Sequence, residues 1–278
     1  MSVAQAIKEA QEKGSFIRKM FEEGMALKRE FGADKVYDFS IGNPDVEPPK
    51  AFTTVLSRLA ADTTPGTHGY MPNSGFVDVR EKLALKVKRE HEVDCRAEHL
   101  VMSVGAAGGL NCVLKAILNP QDEVIVPRPF FVEYGTYIAN HGGRMVLVDA
   151  APDFSLDIEA IKAALSPRTA AVLINSPHNP SGRVYSAESL DALAAVLLAH
   201  GESCGRRPLL LGDEPYRELV YGGLCVPPLL KCYPDSVVVT SYSKSLSLPG
   251  ERIGYIAVNP DATDAAALCS AFAYTTRI

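Results

Sequence analysis

An α/β fold with a mostly parallel sheet is what this sequence predicts, on three observations. Apolar, β-rich runs recur at residues 99–103, 123–126, 144–148, 170–175, 208–211, 236–240 and 254–258. Several of these runs are apolar throughout, as strands buried on both faces are. Helical stretches lie between them, clearest at 106–118, 157–165 and 186–200. Regular alternation of strand and helix predicts a mostly parallel sheet covered by helices.

The chain begins differently. Residues 3–31 read as an amphipathic helix rich in Lys and Glu, and residues 38–49 (DFSIGNPDVEPP) as an irregular loop punctuated by Gly and paired prolines. Residues 1–48 are therefore placed outside the main sheet and residues 49–278 in the main domain. Residues 262–278 read as a helix with no stop signal, a hint that the chain is truncated.

A length of 278 residues suits one large α/β domain with a small appendage. With 47% hydrophobic and 22% charged residues the composition is that of a soluble globular protein. A net charge of −5 gives no reason to expect nucleic acid or an anionic membrane as partner. No apolar run is long enough to span a bilayer, and the polar N-terminus lacks a signal-peptide core. The six cysteines have no CxxC spacing, so neither a disulfide framework nor a zinc site is expected, and a cytoplasmic location is.

Five segments can carry chemistry. In residues 241–255 (SYSKSLSLPGERIGY), Lys244 follows a buried strand, at the sheet edge where open α/β sheets bind ligands. Ser241, Ser243 and Arg252 can share an anionic group there, while the Lys244 amine attacks a carbonyl. In residues 212–216 (GDEPY), Asp213 again follows a strand. It has two readings, a helix N-cap or the partner of a protonated ring nitrogen. Tyr216 can donate to a ring oxygen. The Asn- and Pro-rich turn at 175–182 (NSPHNPSG) holds Asn179 stiffly, and His178 reads as a loop residue. At 103–109 (SVGAAGG), Ser103, Gly105, Ala106 and Ala107 form a candidate phosphate cradle at a helix N-terminus, without Walker or dinucleotide spacing. At 127–134 (PRPFFVEY), Phe131 is placed either to stack on a planar ligand or to join the core.

In this order the five segments resemble the class I/II aminotransferases, enzymes of pyridoxal phosphate (PLP) fold type I, over essentially the whole chain from about residue 35. The resemblance implies a three-layer αβα large domain, with residues 1–48 forming the N-terminal part of an incomplete small domain and a C-terminal subdomain absent. By position it implies that Lys244 binds PLP as a Schiff base and that Asp213 meets the pyridine nitrogen. Asn179 and Tyr216 match the pair on the phenolic oxygen. Ser241, Ser243 and Arg252, with the Gly105–Ala107 backbone, match phosphate ligands. Phe131 matches the stacking aromatic, and Tyr70 a tyrosine that reaches the phosphate of a neighbouring subunit. Gly42 matches a glycine whose backbone helps hold the substrate carboxylate, with Asn179 beside it. Arg277 lies thirty-three residues after Lys244, near where aspartate-type relatives carry an arginine for the distal carboxylate. A homodimer with shared active sites is implied, as is amino-group transfer between an amino acid and a 2-oxo acid. A PLP-dependent carbon–sulfur lyase and an inert, truncated PLP-binding protein are the alternatives. No metal is expected.

Overall fold

The computed structural model describes residues 2–39 and 42–278. It divides into two compact units, Met1–Val46 and Glu47–Ile278. The first carries helix α1 (Gln5–Phe31), which ends where Gly32 donates its backbone N–H to Lys28 O. Lys28 Nζ pairs with Asp38 Oδ2 at 2.8 Å, and a Cβ on the buried Gly24 would lie 3.0 Å from that same oxygen. Glycine at 24 therefore lets the segment after α1 fold back against the helix.

The second unit holds α2 (Lys50–Ala60), α3 (Val77–His91), β1 (Leu100–Val104), α4 (Gly105–Ile117), β2 (Glu123–Arg128), α5 (Tyr134–Asn140) and β3 (Arg144–Asp149). It continues with α6 (Ile158–Ala164), β4 (Thr169–Asn175), α7 (Ala187–Cys204), β5 (Leu209–Asp213) and α8 (Leu229–Cys232). It closes with β6 (Ser236–Ser241), β7 (Ile253–Val258) and α9 (Ala265–Thr275). The described residues form one seven-stranded sheet in the order β1-β7-β6-β5-β4-β2-β3. β2, β3, β4, β5 and β6 pair in parallel, while β7 runs antiparallel to both β6 and β1.

The strands alternate, and each face has its own core. Val172 and Ile174 of β4, with Val238 of β6, pack against Leu83 and Val87 of α3, Leu190, Leu193 and Leu197 of α7, and Leu229 of α8. Ala171 and Leu173 of β4, with Val237 and Val239 of β6, pack against Leu110, Val113 and Leu114 of α4, Ile138 of α5 and Phe272 of α9. This period of two, buried on both sides, is why β4 reads as one continuous apolar run. Each fully buried Leu, Ile or Val contributes about 1.5–3 kcal/mol of transfer free energy to holding the helices on the sheet. Helices on both faces make the unit a three-layer αβα sandwich.

Helix starts follow local chemistry. Asp157 caps α6 by accepting from Ala160 N, and Ser186 caps α7 by accepting from Ser189 N. α4 has no side-chain cap, so its first N–H groups are left for another acceptor. Among the described residues no helix is long and apolar enough to cross a membrane, and no cluster of His, Cys, Asp and Glu is arranged to hold a metal ion.

Candidate active site

β1 to β6 run one way and end at a common sheet edge, and β7 begins there because its direction is reversed. Register sets Asn175 opposite Asp213 on neighbouring strands, and places Ser103 and Ser241 on either side of Gly254. A Cβ on Gly254 would fall 2.5 Å from Thr240 O and 2.7 Å from the Gly105 carbonyl carbon, which no side chain could tolerate. The bare glycine lets the first turn of α4 sit directly on the sheet edge. Gly105 opens that turn at φ +70°, in the left-handed region that favours glycine. A side chain there would put Cβ 3.0 Å from Arg252 Nη2.

Above this edge lies a cavity of about 280 Å³. Its wall includes Ala106, Ala107, Phe131, Asn179, Asp213, Tyr216, Ser241, Ser243, Lys244 and Arg252, all singled out from the sequence, together with Tyr137, Asn175 and Pro249. Five other predicted residues are not in the wall, among them Arg277, which is exposed near the end of the chain. Ser103 turns its hydroxyl to Gly105 O at 3.0 Å, and Gly105 lies beneath Arg252. Tyr70 is fully exposed to solvent. Gly42 belongs to the first unit, and its neighbours Ser40 and Ile41 lie outside the described residues.

Asp213 ends β5 and is buried. No helix starts at it, so the N-cap reading does not hold. The Tyr134 hydroxyl donates to its Oδ2 at 2.5 Å, while its Oδ1 is buried with no hydrogen-bond partner among the described residues. Burial pushes the carboxyl up to about 6, against the pull of the Tyr134 hydrogen bond. A buried carboxylate oxygen without a donor is costly unless a ligand supplies one.

Asn175 ties two site residues together. Its Nδ2 donates to Asp213 O at 2.7 Å, and its Oδ1 accepts from Asn179 N at 2.5 Å. Asn179 Nδ2 in turn reaches Tyr216 Oη at 3.4 Å. Burial, and then the Asp213 charge, raise the Tyr216 hydroxyl, so it remains a donor at neutral pH. Lys244 is half-buried, and desolvation lowers its amine below the ordinary lysine range. That favours the neutral, nucleophilic form. Arg252 donates to Pro249 O at 2.9 Å and stays exposed at the cavity rim.

Behind Asp213 lies a second set of charges that sequence reading missed. Glu214 is buried, accepts from Arg217 at 3.0 Å and lies 3.4 Å from His91 Nε2. Burial pushes its carboxyl up to about 7, opposed by Arg217. Tyr134 was missed as well. It lies seventy-nine residues from Asp213 in the chain, and no local pattern marks the pairing. Asn175 had a signal, its place at a strand end just before a Pro-rich turn.

The arrangement suits a flat, anionic carbonyl compound. For such a compound the Lys244 amine is placed as a nucleophile toward a carbonyl and Asp213 Oδ1 as an acceptor for a ring N–H, while hydroxyls, a guanidinium and a helix N-terminus could receive the anionic group.

Comparison with known proteins agrees with that chemistry. A family model described as "Aminotransferase class I and II" matches residues 34–278. An aspartate aminotransferase of Geobacillus stearothermophilus is 34% identical over 228 residues, which cover 80% of this chain and 56% of the relative. An aspartate/prephenate aminotransferase of Thermus thermophilus is 34% identical over 235 residues, covering 84% and 58%. Among solved structures, an amino transferase from Eubacterium rectale superposes with a TM-score of 0.94 at 38% identity, covering 100% of this chain and 70% of that one. The Thermus thermophilus aspartate aminotransferase with maleate gives a TM-score of 0.81 at 32% identity, over 94% of this chain and 64% of that one. The chain thus spans somewhat more than half the length of these curated relatives.

Proposed function

The chain belongs to the class I and II aminotransferase family, and from that membership we propose that it binds PLP through Lys244 and transfers an amino group between an amino acid and a 2-oxo acid. The observation that carries this reading is the buried, partnerless Asp213 Oδ1 in the wall of the same cavity as a desolvated lysine amine. The relatives named above are all aminotransferases, and nothing in the cavity favours the carbon–sulfur lyase.

When bound, PLP supplies an electron-withdrawing ring that takes up the charge released at the substrate Cα. The chain does the rest. Asp213 Oδ1 holds the proton on the ring nitrogen. Tyr216 and Asn179 orient the phenolic oxygen, and Phe131 covers one ring face. Ser241, Ser243, Arg252 and the N–H groups at the start of α4 bind the phosphate. Lys244 Nζ removes the proton from the substrate Cα and delivers it back on the reacting face, acting as base and then acid. Gly42 and Asn179 are assigned to the substrate carboxylate, and residues 1–48 to the small domain.

We also propose a homodimer in which Tyr70 serves the partner's site. In support, α2 has no buried residue, and Val55, Leu56, Leu59, Tyr70 and Met71 are exposed. Apolar side chains exposed together mark association surfaces.

The test is an absorbance spectrum of the purified chain with PLP, followed by borohydride reduction and peptide mapping. The expected result is a visible band whose reduction fixes the cofactor on Lys244. A folded chain with no label on Lys244 would overturn the reading. Arg252→Ala is expected to weaken PLP binding by about 1.5–3 kcal/mol, or roughly tenfold to 150-fold, because one charged hydrogen-bonded contact to the phosphate is lost. Equilibrium titration of the apo-protein with PLP measures it.

A further inference from the structure

We infer that Tyr134 is a positioning residue that sets both the carboxylate and the aromatic ring of the PLP site while touching neither cofactor nor substrate. The inference rests on the PLP reading above.

Tyr134 is the first residue of α5 and is almost completely buried. Its hydroxyl donates to Asp213 Oδ2 at 2.5 Å, the one hydrogen bond that carboxylate receives among the described residues. Because one oxygen is held by the phenol, the carboxylate cannot rotate freely, and Oδ1 remains for the cavity that Asp213 lines. The Tyr134 ring also meets Phe131 edge-on, with centroids 5.6 Å apart and planes at 80°. An edge-to-face contact of this kind fixes the orientation of the Phe131 ring, and Phe131 lines the same cavity. One side chain therefore orients the acceptor in the ring plane and the aromatic over the ring face. α5 itself is anchored through Ile138, fully buried against the sheet, so Tyr134 stands on a rigid element.

The phenol also sets how readily Asp213 ionises. Its hydrogen bond favours the carboxylate and opposes the burial that raises it. The Asp213 charge is felt by Tyr137 on α5 and by Glu214 and Tyr216 just after β5, and Lys244 and Arg252 are the cations that share its cavity wall. Among the described residues none of these hydrogen-bonds to the Asp213 carboxylate.

The experiment is Tyr134→Phe, which keeps the ring and its packing and removes only the hydroxyl. In the apo-protein, NMR of side-chain-labelled aspartate follows the Asp213 titration. The carboxyl is expected to titrate about one to two pH units higher than in the unsubstituted protein, the size of a lost hydrogen bond to a charged group. PLP affinity is expected to fall about tenfold. As a comparison, Tyr137→Phe should leave the Asp213 titration in place. An unchanged titration and unchanged PLP affinity in Tyr134→Phe would overturn the inference while the PLP reading stands. A shifted titration in a protein that binds no PLP would instead overturn the PLP reading and leave the Tyr134–Asp213 pair intact. If Tyr134→Phe does not fold, the unsubstituted apo-protein supplies the second measurement. A slowly exchanging, downfield Tyr134 hydroxyl resonance that disappears in Asp213→Ala supports the pair, and its absence refutes it.

Discussion

Alanine in place of Lys244 is expected to remove all borohydride-fixable cofactor and to slow amino-group transfer by at least about a thousandfold, within the range that one positioned acid–base group supplies. On the proposed function the variant loses two roles at once, because the same Nζ would tether PLP and carry the proton. The loss is not one of folding. Lys244 sits in the loop between β6 and β7, outside both hydrophobic cores. Arg252, Ser241 and Ser243 remain to receive the phosphate, so PLP should still bind, only without the covalent link. Single-turnover conversion of an amino acid donor, read by 2-oxo acid release, measures the effect. Transfer within tenfold of the unsubstituted protein would mean that another group carries the proton, with Tyr216 the nearest in kind.

Asp213→Asn is expected to have opposite effects on activity and stability. Amino-group transfer should fall by about 10²–10³-fold, the loss typical of removing one preorganised electrostatic contact. An amide offers the ring nitrogen no counter-charge. The apo-protein should nevertheless become more stable at alkaline pH. Burial raises the Asp213 carboxyl from 3.8 to about 6, so the charged form is disfavoured in the folded state. The stabilising contribution of the raised group is fully present below about pH 4 and is lost as pH rises through 6. The full shift corresponds to about 3 kcal/mol at pH 8, which the neutral amide does not lose. Tyr134 can still donate to the amide oxygen. Urea unfolding of both apo-proteins at pH 4.5 and pH 8 should show a small difference at the lower pH and a larger gain for Asn at the higher. Glu214 is raised mainly by its own burial but also feels the Asp213 charge, so the neutral amide relaxes its rise as well and adds to the gain at the higher pH.

Most of the scaffold could be read from the sequence because its signals are local. Runs such as 170–175 announce doubly buried strands, and the strand-to-loop junctions at Asp213, Ser241 and Asn175 announce the ligand edge. What was hidden depends on distance or direction. The pairing of Tyr134 with Asp213 is made by the sheet order, which brings α5 and the end of β5 together although no spacing rule connects them. The Glu214–Arg217–His91 cluster is hidden in the same way, since His91 comes from α3. Ser103 sits in the predicted cradle, yet its hydroxyl is occupied by Gly105 O. Strand direction leaves no mark in hydrophobic periodicity, so the reversal of β7 was unforeseen.

That reversal has a consequence for which changes in chain length the site can absorb. Asn179 and Asp213 are separated by a whole crossover containing α7, and residues added to its outer turns need not move either strand end. Lys244 and Arg252 share one short return from β6 into β7, anchored by Ser241 and Ile253 on adjacent strands. With both ends pinned to the sheet, an insertion or deletion here has nowhere to go but into the separation between the amine and the guanidinium. Had β7 run parallel, its first residue would lie at the far edge of the sheet, roughly 20 Å away at about 3.3 Å per residue. This one hairpin therefore works as a fixed-length ruler, while the crossovers between the parallel strands can take up added length in turns away from the site.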